Sequence, residues 1–228
     1  MAGTLLLLLA TALPQLDELR QIPEVAAVTT NSVTSPTYRV VHLLNWHWIP
    51  RDRFKLDNPD GDYEKFLDEV DAIQQEQMKV LRAMKVRVVF YEGLTTENIA
   101  AYKRKIEQLR RLKQRKGDDP IDELVRSFVR EDTLQLGAPG RLWLAGELDA
   151  VLPADDAKLL DAADPVKDGK VEFDEAAVRR REDAIVKLLL KQPESVVVLG
   201  GSHDLTSRLP TGVRYERLIT RRYKQAIE

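Results

Sequence analysis

The sequence predicts a single α/β layered domain with a mainly parallel central sheet flanked by helices. Three observations lead there. Stretches with a helical apolar stripe alternate with short β-rich runs. One of those runs, Ser-Val-Val-Val-Leu at 195–199, is of the kind seen in a strand buried on both faces. The Gly- and Asp-rich punctuation falls between elements, not between cores, so no second domain boundary is visible. At 228 residues, 43% of them apolar and 32% charged, the chain can bury one core beneath a wet surface.

The elements follow in order. Residues 5–9 are an unbroken Leu run, followed by Ala10-Thr11-Ala12, a small-x-small pattern of the kind a signal peptidase cuts. Residues 1–12 are therefore expected to be a leader removed on export to a periplasm, cell envelope or extracellular space; a retained leader would imply the cytoplasm. The run is too short to span a bilayer, so no integral membrane domain is expected after its removal. Residues 13–36, with Pro14, Pro23, Pro36 and a Thr/Ser/Asn-rich stretch, read as a leader or linker. The domain is then 37–228. Residues 38–46 read as a strand running into His47, closed by Pro50. Residues 57–62 form a loop. Tyr63, Phe66, Val70, Ile73, Leu81 and Met84 mark a long helix whose stripe is broken only at Gln77.

Residues 86–91 are a compact strand ending in Glu92-Gly93. Ile99, Tyr102, Ile106, Leu109 and Leu112 predict a second amphipathic helix, stopped by Gly117-Asp118-Asp119-Pro120. Residues 121–129 read as a short helix, 141–145 as a strand and 154–163 as a short helix. Residues 172–191 form a clear helix with Phe173, Ala177, Ala184, Ile185 and Leu188 on its stripe. The buried strand 195–199 runs into Gly200-Gly201-Ser202-His203, and 213–219 supply a last strand.

Composition removes several function classes. With no cysteine there is no disulfide, thiolate metal site or cysteine nucleophile. A net charge of −2 gives no overall attraction for nucleic acid or an anionic membrane. The basic run over 103–116 is offset by Asp118, Asp119, Asp122 and Glu123, and reads as a solvated face. The chain lacks a Gly-x-Gly-x-x-Gly, a P-loop and a Gly-x-Ser-x-Gly elbow, which disfavours nucleotide binding and serine hydrolase chemistry. Residues 164–175 are spaced like a calcium loop through Asp164, Asp168, Gly169 and Glu175. Val166 stands where an oxygen ligand belongs, so a loop and helix cap is the better reading.

In open α/β sheets, ligands bind outside the carboxyl ends of the strands. Three predicted strand ends carry His47, Glu92 and His203. Two imidazoles and a carboxylate can hold a divalent metal such as Zn, Mn or Fe, or act without one as a base and its electrostatic partner. Gly200 and Gly201 would let a ligand approach closely, and Trp46 and Trp48 would wall it. Arg181 lies four residues from both Ala177 and Ile185, on the apolar stripe, so it either snorkels from the stripe's edge or is buried and needs a partner, Glu92 or an anionic group of the substrate. His42 sits mid-strand, its side chain opposite to that of His47, and reads as a hydrogen-bonded core residue.

These residues bear a resemblance. The histidine after the first strand, Phe90-Tyr91-Glu92-Gly93, the Arg-bearing helix at Arg181-Glu182-Asp183 and the late Gly200-Gly201-Ser202-His203 resemble the superfamily of TIKI and TraB proteins, erythromycin-esterase-like enzymes and ChaN-like haem-binding proteins. The likeness covers residues 38–219. The early motif departs from it: Leu44 stands where a Gly is usual, and Asn45 near the place of a frequent Glu. The resemblance implies a metal-assisted or histidine-based hydrolase in some branches and haem capture through histidine in another. Three functions are thus expected for testing: a hydrolase-like enzyme acting on a small molecule or peptide, a haem or metal binder with His47 as axial ligand beside Trp46 and Trp48, or an interaction module.

Overall fold

The computed structural model describes residues 12–112, 120–167 and 170–228. Most of the expected leader, part of the basic run (113–116) and positions 168 and 169 of the calcium-like loop lie outside them. The architecture is the expected α/β layering: one six-stranded sheet with helices packed on both faces. The helices are α1 (Leu16–Arg20), α2 (Arg51–Asp57), α3 (Tyr63–Ala83), α4 (Ile99–Leu112), α5 (Pro120–Gln135), α6 (Gly137–Leu144), α7 (Ala157–Ala162), α8 (Glu175–Leu189) and α9 (Arg221–Ile227). The sheet holds β1 (Val25–Thr30), β2 (Tyr38–Asn45), β3 (Val88–Tyr91), β4 (Ala150–Pro153), β7 (Glu194–Gly200) and β8 (Val213–Thr220), in the order β1-β8-β2-β7-β3-β4. A two-residue pair, β5 (Val166–Lys167) with β6 (Lys170–Val171), lies apart. Among the described residues, five strands of this sheet run parallel and β1 runs antiparallel, on β8.

Strand alternation divides the core between the two faces. Val41, Leu43, Val89, Tyr91, Val196 and Val198 share one cluster with Leu81 and Met84 at the end of α3 and Leu142 of α6. Val40, Phe90, Val197, Leu199 and Tyr215 share the other with Ile185, Val186 and Leu189 of α8. Both faces are apolar because parallel crossovers lay helices on each side. Asp62 caps α3 by accepting from the N–H groups of Glu64 and Lys65, and Asp174 caps α8 at Ala177, satisfying donors that helix starts leave free.

Three expectations are corrected, and one helix is added. Residues 13–36 are not simply a linker: they supply α1 and the edge strand β1, and Leu13, Leu19, Ile22 and Val25 enter the core. Residues 141–145 are not a strand. They fall mainly in α6, whose Gly137, Ala138, Pro139, Gly140 and Leu142 are all buried; a five-residue apolar run fits either period, and burial decides. The strand of this region is β4, further on. A helix, α2, follows Pro50. Finally, Phe173 precedes α8 and is 78% exposed, so it is not part of the stripe. Among the described residues, no helix is long and apolar enough to cross a membrane.

Candidate functional site

Topology brings the three predicted strand ends together. β7 lies between β2 and β3, with Asn45 paired to Gly200 and Tyr91 to Val198. His47 follows β2, Glu92 follows β3 and His203 follows β7, so all three emerge at the carboxyl edge of neighbouring strands.

Glu92 is the hub. Its Oε2 accepts from His47 Nε2 at 2.8 Å and from the Gly200 N–H. Its Oε1 accepts from Arg181 Nη2 at 2.9 Å and lies 3.2 Å from His203 Nε2. Arg181 also donates from Nε and Nη2 to the two oxygens of Asp155, at 2.6 and 3.0 Å. Asp155 accepts in addition from the Gly93 N–H at 2.8 Å. His203 Nδ1 meets Glu182 Oε1 at 3.0 Å. Arg181 therefore sits buried on its helix and does not snorkel from the stripe's edge; its donors are turned onto two carboxylates. This is the condition under which a buried guanidinium is tolerated.

Exposure separates the members. The Glu92, Arg181 and His203 side chains are at most 10% exposed and Asp155 is fully covered, while His47 is 43% exposed. Burial by itself would raise the Glu92 carboxyl, but the charge of His47, hydrogen bonds from both histidines and Arg181 hold it well below the usual range. Burial by itself would lower both imidazoles; Glu92, joined at His203 by Glu182, outweighs it and raises them. Each group favours the charged form of its partner.

One chain of bonds also fixes where the His47 proton lies. Gln77 Nε2 donates to the Leu44 carbonyl at 2.8 Å, which orients its amide, and to Asn45 Oδ1 at 3.2 Å. Asn45 must then turn its Nδ2 toward His47 Nδ1, 3.2 Å away. Because an amide N–H can only donate, neutral His47 keeps a lone pair on Nδ1 and its proton on Nε2, facing Glu92.

Other expected site residues fall differently. A Cβ on Gly200 would lie 2.9 Å from His47 Nε2 and 3.2 Å from Glu92 Oε2, so its close approach serves the protein's own side chains. The space at Gly201 is taken by the Tyr223 hydroxyl, 1.7 Å from where a Cβ would stand. Trp46 packs edge-on against Tyr223, ring centres 6.1 Å apart. Trp48 joins the Phe54, Tyr63 and Leu67 cluster. His42 is a core residue, as expected: fully buried, with Nε2 on the Leu199 carbonyl at 2.9 Å and Nδ1 at 2.6 Å from the Tyr215 hydroxyl. Burial pushes it down to about 4.

Sequence reasoning missed Asp155, and it gave Glu182 no role beyond its place beside Arg181. Asp155 follows β4, a strand the apolar pattern did not reveal. Gln77 carried a usable signal as the one polar break in the α3 stripe.

The set has some features of a metal centre. Two imidazole Nε2 atoms converge on a carboxylate, and Glu182 backs His203 as carboxylates back metal-bound histidines. Yet as the side chains stand, all of Glu92's acceptor positions are engaged and Arg181 Nη1 lies 3.4 Å from His203 Nε2. Among the described residues, no group of three ligating side chains is set to hold an ion. A metal would have to displace these donors. No protein-family model matches the chain, and neither the curated proteins nor the solved structures contain a significant match to it.

Proposed function

We propose that this edge is a histidine-based acid–base site of a hydrolase-like protein, with His47 the group that exchanges protons with substrate. One observation carries the reading: Glu92 holds His47 through Nε2–H, and His47 alone of the cluster is substantially open to solvent. A carboxylate on one ring nitrogen fixes the imidazole's orientation and stabilises its charged form, leaving the other nitrogen to act as base. A water reaching the exposed ring would give its proton to Nδ1 in competition with the weak Asn45 bond. The imidazolium keeps its Nε2–H on Glu92 and returns a proton to the leaving group. His203, Arg181, Asp155 and Glu182 hold Glu92 ionised and in place. Acid–base assistance of this kind contributes about 10²- to 10⁴-fold. The substrate class is an ester or amide of a small molecule or peptide.

The test is a panel of chromogenic esters and short peptides, with and without chelator, for the wild type and His47→Ala. Turnover that resists chelator and is lost in the variant is expected. Equal turnover in both proteins, or none in either, sinks the reading. A second reading, retention of a divalent metal or haem without turnover, draws on the Glu182–His203 pair. A near-stoichiometric metal, or a Soret band on haem addition, lost in the His47→Ala/His203→Ala variant, would favour it.

A further inference from the structure

The opposite end of the sheet holds a second buried charge cluster, unrelated to the candidate site. Arg39, on β2, donates from Nε and Nη2 to Glu216 Oε2 on β8 at 3.0 and 2.7 Å. Its guanidinium also donates to two main-chain carbonyls, that of Leu13 at 3.1 Å and that of Pro14. The Leu13 N–H in turn donates to Glu194 Oε2 on β7 at 3.1 Å, and Glu194 Oε1 lies 3.6 Å from Arg39 Nη1. Charged side chains thus grip both main-chain polar groups of Leu13. The charges of the three side chains do not balance. Among the described residues, two carboxylates face one guanidinium, and the fully buried Glu216 has no partner at Oε1.

This grip falls at a boundary in the sequence. Ala12 is exposed, whereas Leu13 is buried and belongs to the larger core cluster. That change coincides with the end of the small-x-small pattern Ala10-Thr11-Ala12. We propose that the chain is cut between Ala12 and Leu13, and that the new α-ammonium of Leu13 binds Glu194 and completes the Arg39–Glu194–Glu216 cluster. The cut is a hydrolysis by an endopeptidase that recognises small-x-small sites, acting before folding. Water adds to the Ala12 carbonyl carbon and the C–N bond breaks. Ala12 leaves as a carboxylate, and the Leu13 nitrogen keeps its own hydrogen and takes both protons of the water, becoming an ammonium. A neutral donor already aimed at Glu194 becomes a cation at the same atom, and charge-assisted bonds are about twice as strong as neutral ones.

Two forms of the whole chain test this: one made in a host that exports it, the other made by cell-free synthesis without membranes. Each is prepared with and without Glu194→Gln. N-terminal sequencing of the exported product is expected to read from Leu13. Glu194→Gln is expected to lower the melting temperature further in the cut form than in the uncut one, by about 2–4 °C, the effect of roughly one ion pair in a chain of this length. An uncut product, a cut elsewhere, or equal losses in both forms overturns the proposal. If Glu194→Gln does not fold, the wild-type forms decide: the cut form must melt higher than the uncut one, and equal or lower melting overturns the proposal.

Discussion

At the scale of single residues, the candidate site depends on who donates to whom. Arg181 is held between Glu92 and Asp155 with its side chain 9% exposed. Arg181→Ala should cost about 3–5 kcal/mol, because it strands buried carboxylates; denaturant unfolding measures it, and a loss below 1 kcal/mol would show that the pairs are not the support they look to be. Asn45 governs the other side of His47. In Asn45→Asp, a carboxylate replaces the amide donor at Nδ1, so His47 should carry protons on both nitrogens at neutral pH. The wild type is expected to show an unprotonated Nδ1 in its neutral form by ¹⁵N chemical shifts of the ring, and an unchanged pattern in the variant would refute the assignment. Gly200→Ala places a Cβ 2.9 Å from His47 Nε2. It should cost about 1–3 kcal/mol as overpacking and lower the His47 pKa by parting it from Glu92, which a ring-proton titration reads directly.

At the scale of elements, the positions that matter are where chain segments cross the sheet edge. β1 covers β8, which would otherwise present an unpaired edge. A chain restricted to residues 37–228 should therefore melt lower than one beginning at Leu13 and associate at micromolar concentration, as size-exclusion chromatography would show; equal melting and a clean monomer would make 13–36 dispensable after all. Legibility differed between elements for physical reasons. α3 and α8 could be read because long amphipathic stretches repeat their period several times. The 141–145 run was too short to show a period, and its conversion to helix depends on burial beside α3 and α4. β1 was hidden because Val-Ala-Ala-Val-Thr-Thr at a half-exposed edge carries little apolar signal, and Pro23 and Pro36 on either side suggested a linker.

At the scale of the whole molecule, the two sets of histidines give stability a pH optimum. His42 is pushed down to about 4 by burial. Its contribution is present above its unfolded value of about 6.5 and is lost as pH falls toward 4, on the order of 3 kcal/mol. His47 and His203 are raised by Glu92, so theirs is full below about 6.5 and fades as pH climbs through their folded values. Melting temperature should peak near neutrality, and the alkaline fall should vanish in the His47→Ala/His203→Ala variant; a wild type still gaining stability at pH 9 would contradict this. The sequence by itself determined the α/β class and the strand ends that bear His47, Glu92 and His203, since each follows from local periodicity; it placed Arg181 on the stripe without deciding whether the guanidinium is buried or snorkels. Only the tertiary structure decided that β7 inserts between β2 and β3, that Asp155 and Glu182 complete the network, and that Gly200 and Gly201 admit the protein's own side chains. Strand order and partners distant in sequence are set by packing the whole core at once, which no local pattern encodes.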